Sequence, residues 1–330
     1  MASGAYIFGC ARPQLKQQER EFFSQSQPWG FILFARNIEN PGQLSRLTSD
    51  LRDAVGWQAP VLIDQEGGRV QRMRAPHWRE YLPALDQIAA TGDAAVRGMY
   101  LRNRLIAQEL FDVGIDVNCA PLADLIWPES HPVLRNRCYG SDVKTVVELC
   151  RATAQGLQEG GVLPVLKHIP GYGRAVADGH KALPVVDVPR DVLEAHDFAP
   201  FRALNDMAMG MTAHIVFPCL DDRPATTSPG AMRMIREEIG FDGLIMTDDI
   251  SMEALSGTVD SRARAALDAG CDLVLHCNGD LDEMRAVAGV CGPQDAAAQR
   301  RAGAALSRRS EPTEIDIPAL EAELHSLITG

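Results

Sequence analysis

The chain has 330 residues, enough for two ordinary domains or for one large α/β barrel with extensions. Its composition, 46% hydrophobic and 23% charged, is that of a folded soluble protein. A net charge of −12 without any Lys/Arg run argues against nucleic acid or an anionic membrane as partner, and no apolar run approaches the ~20 residues of a bilayer span.

In chain order, eight short apolar runs alternate with helical patterns: AYIFGC (5–10), GFILF (30–34), PVLID (60–64), IDVNCAP (115–121), VLPVLKH (162–168), AMGMTAHI (208–215), LIMTDD (244–249) and DLVLHC (272–277). Each run is continuous rather than alternating, as parallel strands covered on both faces require. Between them, NPGQLSRLTSDLRDAV opens on Asn40-Pro41, a cap and first-turn pair. The segment DAAVRGMYLRNRLIAQELFDVG repeats apolar residues at three- and four-residue spacing and stops at Gly114. A further helix is expected from Ser141 to the glycine pair 160–161, and VDSRARAALDAG precedes the last strand. Eight such strand–helix units predict a TIM-like (β/α)₈ barrel over about residues 5–280. The C-terminal stretches 281–309 and 312–330 read as helices packed on that barrel, all within one domain. A doubly wound sheet is the structural alternative, but no G-x-G-x-x-G follows the first strand.

None of the eight cysteines forms a C-x-x-C pair, and several lie inside apolar runs, so buried free thiols in a reducing compartment are expected. The N-terminus lacks the basic and apolar regions of a signal peptide, which points to the cytoplasm.

In a barrel of this kind the active site lies at the C-terminal strand ends. Those ends carry Asp64, Lys167-His168, His214, Asp248-Asp249 and His276, with Arg72 and Arg137 nearby. Charged and imidazole groups at several strand ends converge on one mouth, which costs free energy unless they bind something. Carboxylate, guanidinium and ammonium groups together suit a polyol, whose hydroxyls pair with both signs of charge. No G-x-S-x-G occurs. The Lys and Arg argue against a metal shell, although a site built from His168, His214 and Asp248 is an alternative. Adjacent strand residues point to opposite faces, so only one of Asp248 and Asp249 is expected to face the pocket.

The blocks LIDQEGGRVQR (62–72), GIDVNCAPLADL (114–125), LKHIPGYGRAVADGHKALP (166–184) and GLIMTDDISMEAL (243–255) resemble the signature blocks of glycoside hydrolase family 3, in family order. The similarity is strongest to its single-domain bacterial β-N-acetylglucosaminidases. It implies retaining hydrolysis of terminal β-linked N-acetylglucosamine, on muropeptides such as GlcNAc-1,6-anhydroMurNAc, in cytoplasmic cell-wall recycling. It implies Asp248 as nucleophile and His180, paired with Asp178, as acid/base. It implies Asp64, Arg72, Arg137, Lys167 and His168 as sugar-binding residues. Gly179 stands where the family usually has Ser. Gly171, Gly173 and Gly179 are expected to let the loop tip move. No cofactor or metal is expected, and a monomer or weak homodimer is. A sugar phosphorylase or a non-catalytic sugar-binding barrel are the alternatives. His214 and His276 are expected behind the sugar-facing layer; His77, His131, His196 and His325 are given no role.

Overall fold

The computed structural model describes residues 3–176 and 183–330. Nine parallel strands make one sheet: β1 (Gly4–Gly9), β2 (Pro28–Leu33), β3 (Val61–Ile63), β4 (Val117–Asn118), β5 (Leu163–Pro164), β6 (Leu166–Ile169), β7 (Met209–Thr212), β8 (Leu244–Asp249) and β9 (Leu273–His276). They run in the order β5-β4-β3-β2-β1-β9-β8-β7-β6. This is the expected TIM-like (β/α)₈ barrel, with its fifth strand in two pieces. Pro164 has no N–H to offer a ladder. The run divides around Val165, so that β5 pairs with β4 and β6 with β7. The seam is stitched by Val165 N donating to Asn118 O at 3.0 Å and Lys167 N donating to Pro121 O at 3.0 Å.

Alternation along each strand separates two apolar environments. Ile7, Ile32, Leu62, Leu163, Val165, Leu244, Met246, Leu273 and Leu275 fill the barrel interior. Phe8, Phe31, Val61, Ile63, Ile245 and Val274 face the surrounding helices. Both sets are buried, which is why the runs read as continuous.

The helix Pro41–Val55 is capped by the Asn40 side chain, which accepts from Gln43 N at 2.9 Å, and ends at Gly56 with φ 74°. The helix Val143–Glu159 is capped by Asp142 rather than by the anticipated Ser141: its carboxylate accepts from Thr145 N at 2.8 Å. Aspartate at a helix start also answers the positive end of the dipole. The expected C-terminal helices are Leu281–Cys291, Ala296–Leu306 and Ile317–Thr329. Ala302 and Ala305 join the barrel-interior cluster, so the second of them closes the N-terminal end of the barrel. The last lies on the helices Ala84–Thr91 and Ala95–Phe111. All eight cysteines are free, seven of them buried and Cys219 exposed. No helix among the described residues is long and apolar enough to cross a membrane.

Candidate active site

The interior series of each strand predicts which side chain emerges at its top. Leu62 continues to Asp64, Leu163 and Val165 to Lys167, Leu244 and Met246 to Asp248, and Leu273 and Leu275 to Cys277. These four residues line one cavity of about 210 Å³. The volume lies below the usual range of roughly 300–1,000 Å³ for ligand pockets and suits a single ring. Arg72, Arg137 and His168 complete its polar wall, while Phe34, Met211, Met252 and Leu275 form an apolar wall opposite in kind. Six of the eight residues proposed from the sequence are thus brought together. The other two, Asp178 and His180, lie outside the described residues.

One polar wall is a chain of alternating charges. Arg72 donates to Asp64 Oδ2 at 3.1 Å, and Lys167 Nζ lies 2.9 Å from Asp64 Oδ1 and 2.6 Å from Glu66 Oε1. Arg137 then grips Glu66 with two parallel bonds, Nε to Oε2 at 2.9 Å and Nη2 to Oε1 at 2.8 Å. Burial alone would raise the Asp64 carboxyl, but Lys167 and Arg72 hold it well below the usual range. Burial likewise opposes the charge of Glu66, yet Arg137 and Lys167 bring it down to about 2. Burial disfavours the Lys167 ammonium, and the two carboxylates more than offset this, so it stays charged.

His168 is oriented by Asp124, whose Oδ2 lies 2.7 Å from Nδ1. Asp124 also accepts from His168 N at 3.3 Å and Tyr172 N at 2.6 Å, and it has no exposed surface. The other ring nitrogen has no hydrogen-bond partner among the described residues.

Among the described residues Asp248 accepts one hydrogen bond, from Asp249 N at 2.8 Å. Burial pushes its carboxyl up, but His214, His168, the Asp249 N–H and Lys167 together hold it below the usual range. It is therefore an ionised carboxylate with unoccupied lone pairs facing the cavity. The expectation that only one of the two aspartates reaches the pocket needs correction: Asp249 also lines it, where the β8–β9 register shifts between Met246 and Asp249. Its carboxylate is nevertheless engaged. It accepts from Ser251 Oγ at 2.6 Å, Ser251 N at 3.0 Å and Cys277 N at 3.2 Å.

His214 sits behind this layer, as expected. Nε2 donates to the Asp249 carbonyl at 3.0 Å and Nδ1 lies 2.8 Å from Thr226 Oγ1. Both ring nitrogens being used, it is no metal ligand in this arrangement. Among the described residues no group of three or more His, Cys, Asp or Glu side chains is placed to hold a metal ion. His276 turns away from the cavity to Glu283 Oε2 at 2.8 Å. His131, given no role from the sequence, lines the cavity and caps Val133 N through Nδ1 at 3.2 Å.

Two carboxylates were not singled out from the sequence. Glu66 follows Asp64 by two residues, and Asp124 sits in the apolar context APLADL. A carboxylate in such surroundings must have partners, which is the signal that marks it.

The segment 171–175 is tied down. Gly173 O accepts from Ser130 Oγ at 2.5 Å, and Ala175 O accepts from His131 N at 3.0 Å. Arg174 stacks on Trp127, 3.5 Å to the ring centroid, and its Nε donates to both Asp197 oxygens at 2.9 and 3.0 Å. A Cβ on Gly173 would lie 1.9 Å from Leu125 O, and one on Gly171 would lie 3.1 Å from Asp197 O. Close backbone approach, rather than freedom to move, is what these two glycines serve; Gly179 lies outside the described residues. Gly173→Ala is expected to lower stability by about 1–3 kcal/mol, because the opposing atom is backbone and has no rotamer to retreat into. A thermal midpoint equal to that of the unaltered protein would refute this.

Residues 6–303 match the glycosyl hydrolase family 3 N-terminal domain. The chain is 37% identical over 285 residues to a β-hexosaminidase from Bordetella avium, covering 83% of this chain and 81% of that protein. It is 37% identical over 294 residues to a β-hexosaminidase from Neisseria meningitidis, covering 86% and 81%. Its structure is similar to that of NagZ from Neisseria gonorrhoeae in complex with N-trifluoroacetyl-D-glucosamine, with a TM-score of 0.89, 29% identity, and coverage of 100% and 99% of the two chains.

Proposed function

The chain belongs to glycosyl hydrolase family 3, and from that premise we propose that it is a retaining exo-β-N-acetylglucosaminidase of the NagZ type that works through Asp248. It is a β-N-acetylhexosaminidase acting on a small sugar substrate. The neisserial enzyme to which it is similar holds an N-acylated glucosamine, which supports N-acetylglucosamine as the residue released here. Cleavage of GlcNAc-1,6-anhydroMurNAc, with or without its peptide, in cytoplasmic peptidoglycan recycling is the physiological reading.

The single observation that carries the mechanism is Asp248: an ionised, nearly unencumbered carboxylate at the floor of a one-ring cavity, faced by Lys167 and His168. In the first half-reaction its oxygen attacks C1 of the sugar. The bond from C1 to the leaving oxygen breaks, and that oxygen takes a proton from His180. In the second, water attacks C1 of the glycosyl-enzyme while His180, now the base, takes the proton, and Asp248 departs as carboxylate. Asp178 orients His180 and stabilises its imidazolium. An imidazole, with an ordinary pKa of ~6.5, serves both as acid and as base near neutral pH. Asp64, Arg72, Arg137, Lys167 and His168 hold the sugar hydroxyls and supply contacts that strengthen in the transition state.

A 5-fluoro glycosyl label on the N-acetylglucosaminyl scaffold should be recovered on the Asp248 peptide by mass spectrometry. Labelling of Asp249, or none with an active enzyme, would overturn the assignment. Run with an aryl N-acetyl-β-glucosaminide, the same preparation should release free sugar without phosphate. Strict phosphate dependence with a sugar 1-phosphate as product would make it a phosphorylase instead.

A further inference from the structure

We infer that Glu66 is a positioning residue of the sugar site, which sets the plane of the Arg137 guanidinium and the charge of Lys167 without touching the sugar itself. This rests on the function proposed above. Asp64 and Glu66 look alike in sequence, yet the structure divides their labour. Asp64 lines the cavity, its side chain 17% exposed, and each of its oxygens accepts one donor. Lone pairs on it remain for a hydroxyl. Glu66 is 5% exposed at its side chain; Arg137 donates one N–H to each of its oxygens, and the Lys167 ammonium pairs with Oε1. Unlike Asp64, Glu66 does not line the cavity, so the lone pair that remains on Oε2 is not offered to substrate.

What Glu66 leaves free on its partners is the useful part. Lys167 has three N–H bonds; one goes to Asp64 and Glu66 lies 2.6 Å away as an ion-pair partner, so at least one remains for the cavity. Arg137 spends Nε and one Nη2 hydrogen on the bidentate grip, which fixes the guanidinium plane and leaves its other edge as donor. Glu66 is in turn held from behind. Its N–H donates to Val70 O at 2.8 Å, and its carbonyl accepts from the buried Arg102, whose Nη1 donates to Gln87 Oε1 at 2.7 Å. Gly67 is required there because its φ of 100° disfavours a side chain and a Cβ would fall 2.8 Å from the Leu82 carbonyl oxygen.

The charges facing Lys167 decide what removing Glu66 does. Asp64 and Glu66 favour its ammonium and Arg137 opposes it; Cys119, just after β4, adds a smaller favourable influence. Asp248 on β8 and His168 beside it complete the surroundings. With the Glu66 charge gone, Lys167 lies between Asp64 and an Arg137 that has lost its counter-ion. Its pKa falls, and the protonated form is lost as pH rises.

The test is calorimetric binding of N-acetylglucosamine across pH, alongside steady-state hydrolysis of an aryl N-acetyl-β-glucosaminide. Glu66→Gln should weaken sugar binding about tenfold near neutral pH, raise KM more than it lowers kcat, and lose further affinity by about pH 9–10, where the unaltered enzyme still binds. Glu66→Asp keeps the charge but cannot span both cations. It should also bind more weakly, without the alkaline loss. Glu66→Gln binding as the unaltered enzyme does at every pH would overturn the inference, as would a lowered thermal midpoint with unchanged affinity. If Glu66→Gln does not fold, Glu66→Asp binding like the unaltered enzyme overturns it equally. Failure of the unaltered enzyme to hydrolyse the glycoside counts against the proposed function; hydrolysis by it with full sugar affinity in Glu66→Gln counts against Glu66 alone.

Discussion

Asp248→Asn lowers kcat/KM for a terminal N-acetyl-β-glucosaminide by about 10⁴-fold or more, or ~5.5 kcal/mol of transition-state stabilisation, while the protein remains folded and binds N-acetylglucosamine within about tenfold. The amide has the same shape, and its oxygen can still accept from the Asp249 N–H that Asp248 uses at 2.8 Å. What is lost is the negative charge facing His168 and Lys167, and with it the oxygen proposed to attack. Asp249→Asn provides the contrast. Its carboxylate takes three donors from Ser251 and Cys277, so the expected damage is to the turn after β8, read as a lowered thermal midpoint, with far smaller loss of chemistry. If Asp249→Asn proves inert as catalyst and Asp248→Asn active, the two roles must be exchanged.

Lys167→Met has the largest expected effect on the fold. The ammonium bridges two carboxylates at 2.9 and 2.6 Å and is 2% exposed. Methionine fills much of its volume but leaves Asp64 and Glu66 facing each other without the central cation. Removing one partner of a buried ionic cluster costs about 3–5 kcal/mol. The pH dependence follows from the depressed carboxylates. In the unaltered protein Glu66 titrates at about 2 instead of 4.5. Its stabilisation is fully present above the higher value and is lost as pH falls through the lower one. In Lys167→Met both carboxyls move upward, so the deficit against the unaltered protein should shrink on acidification. Urea unfolding near neutral pH and again at about pH 4 measures it. Equal midpoints for the two proteins near neutral pH would show that the ammonium is not needed to hold the carboxylates.

The barrel was legible because strands buried on both faces must be apolar throughout, and eight such runs separated by helical periodicity leave few alternatives. The polar wall of the cavity was legible at Asp64, Lys167, His168 and Asp248 because a charged residue that ends an apolar run emerges at the barrel mouth. Glu66 was visible at the end of strand three but was given no role, because its importance lies in contacts with Arg137 and Lys167, respectively 71 and 101 positions away. Asp124, seen after strand four, was likewise given no role because its partner His168 is 44 positions away. The helix start at Asp142 rather than Ser141 was beyond reach because both residues cap well and the choice depends on where the preceding chain leaves the barrel.

By itself, then, the sequence determined the alternation of elements, the family signature blocks and which side chains stand at the strand tops, since these follow from local periodicity and motif order. Only the tertiary structure decided how the charges pair, because pairing across the mouth depends on distances between strands that are remote in the chain. It decided that Asp249 is consumed by Ser251 and Cys277 while Asp248 is left available. It also decided that Gly171 and Gly173 answer to packing against Asp197 and Leu125, a requirement no neighbouring residue in the chain reveals.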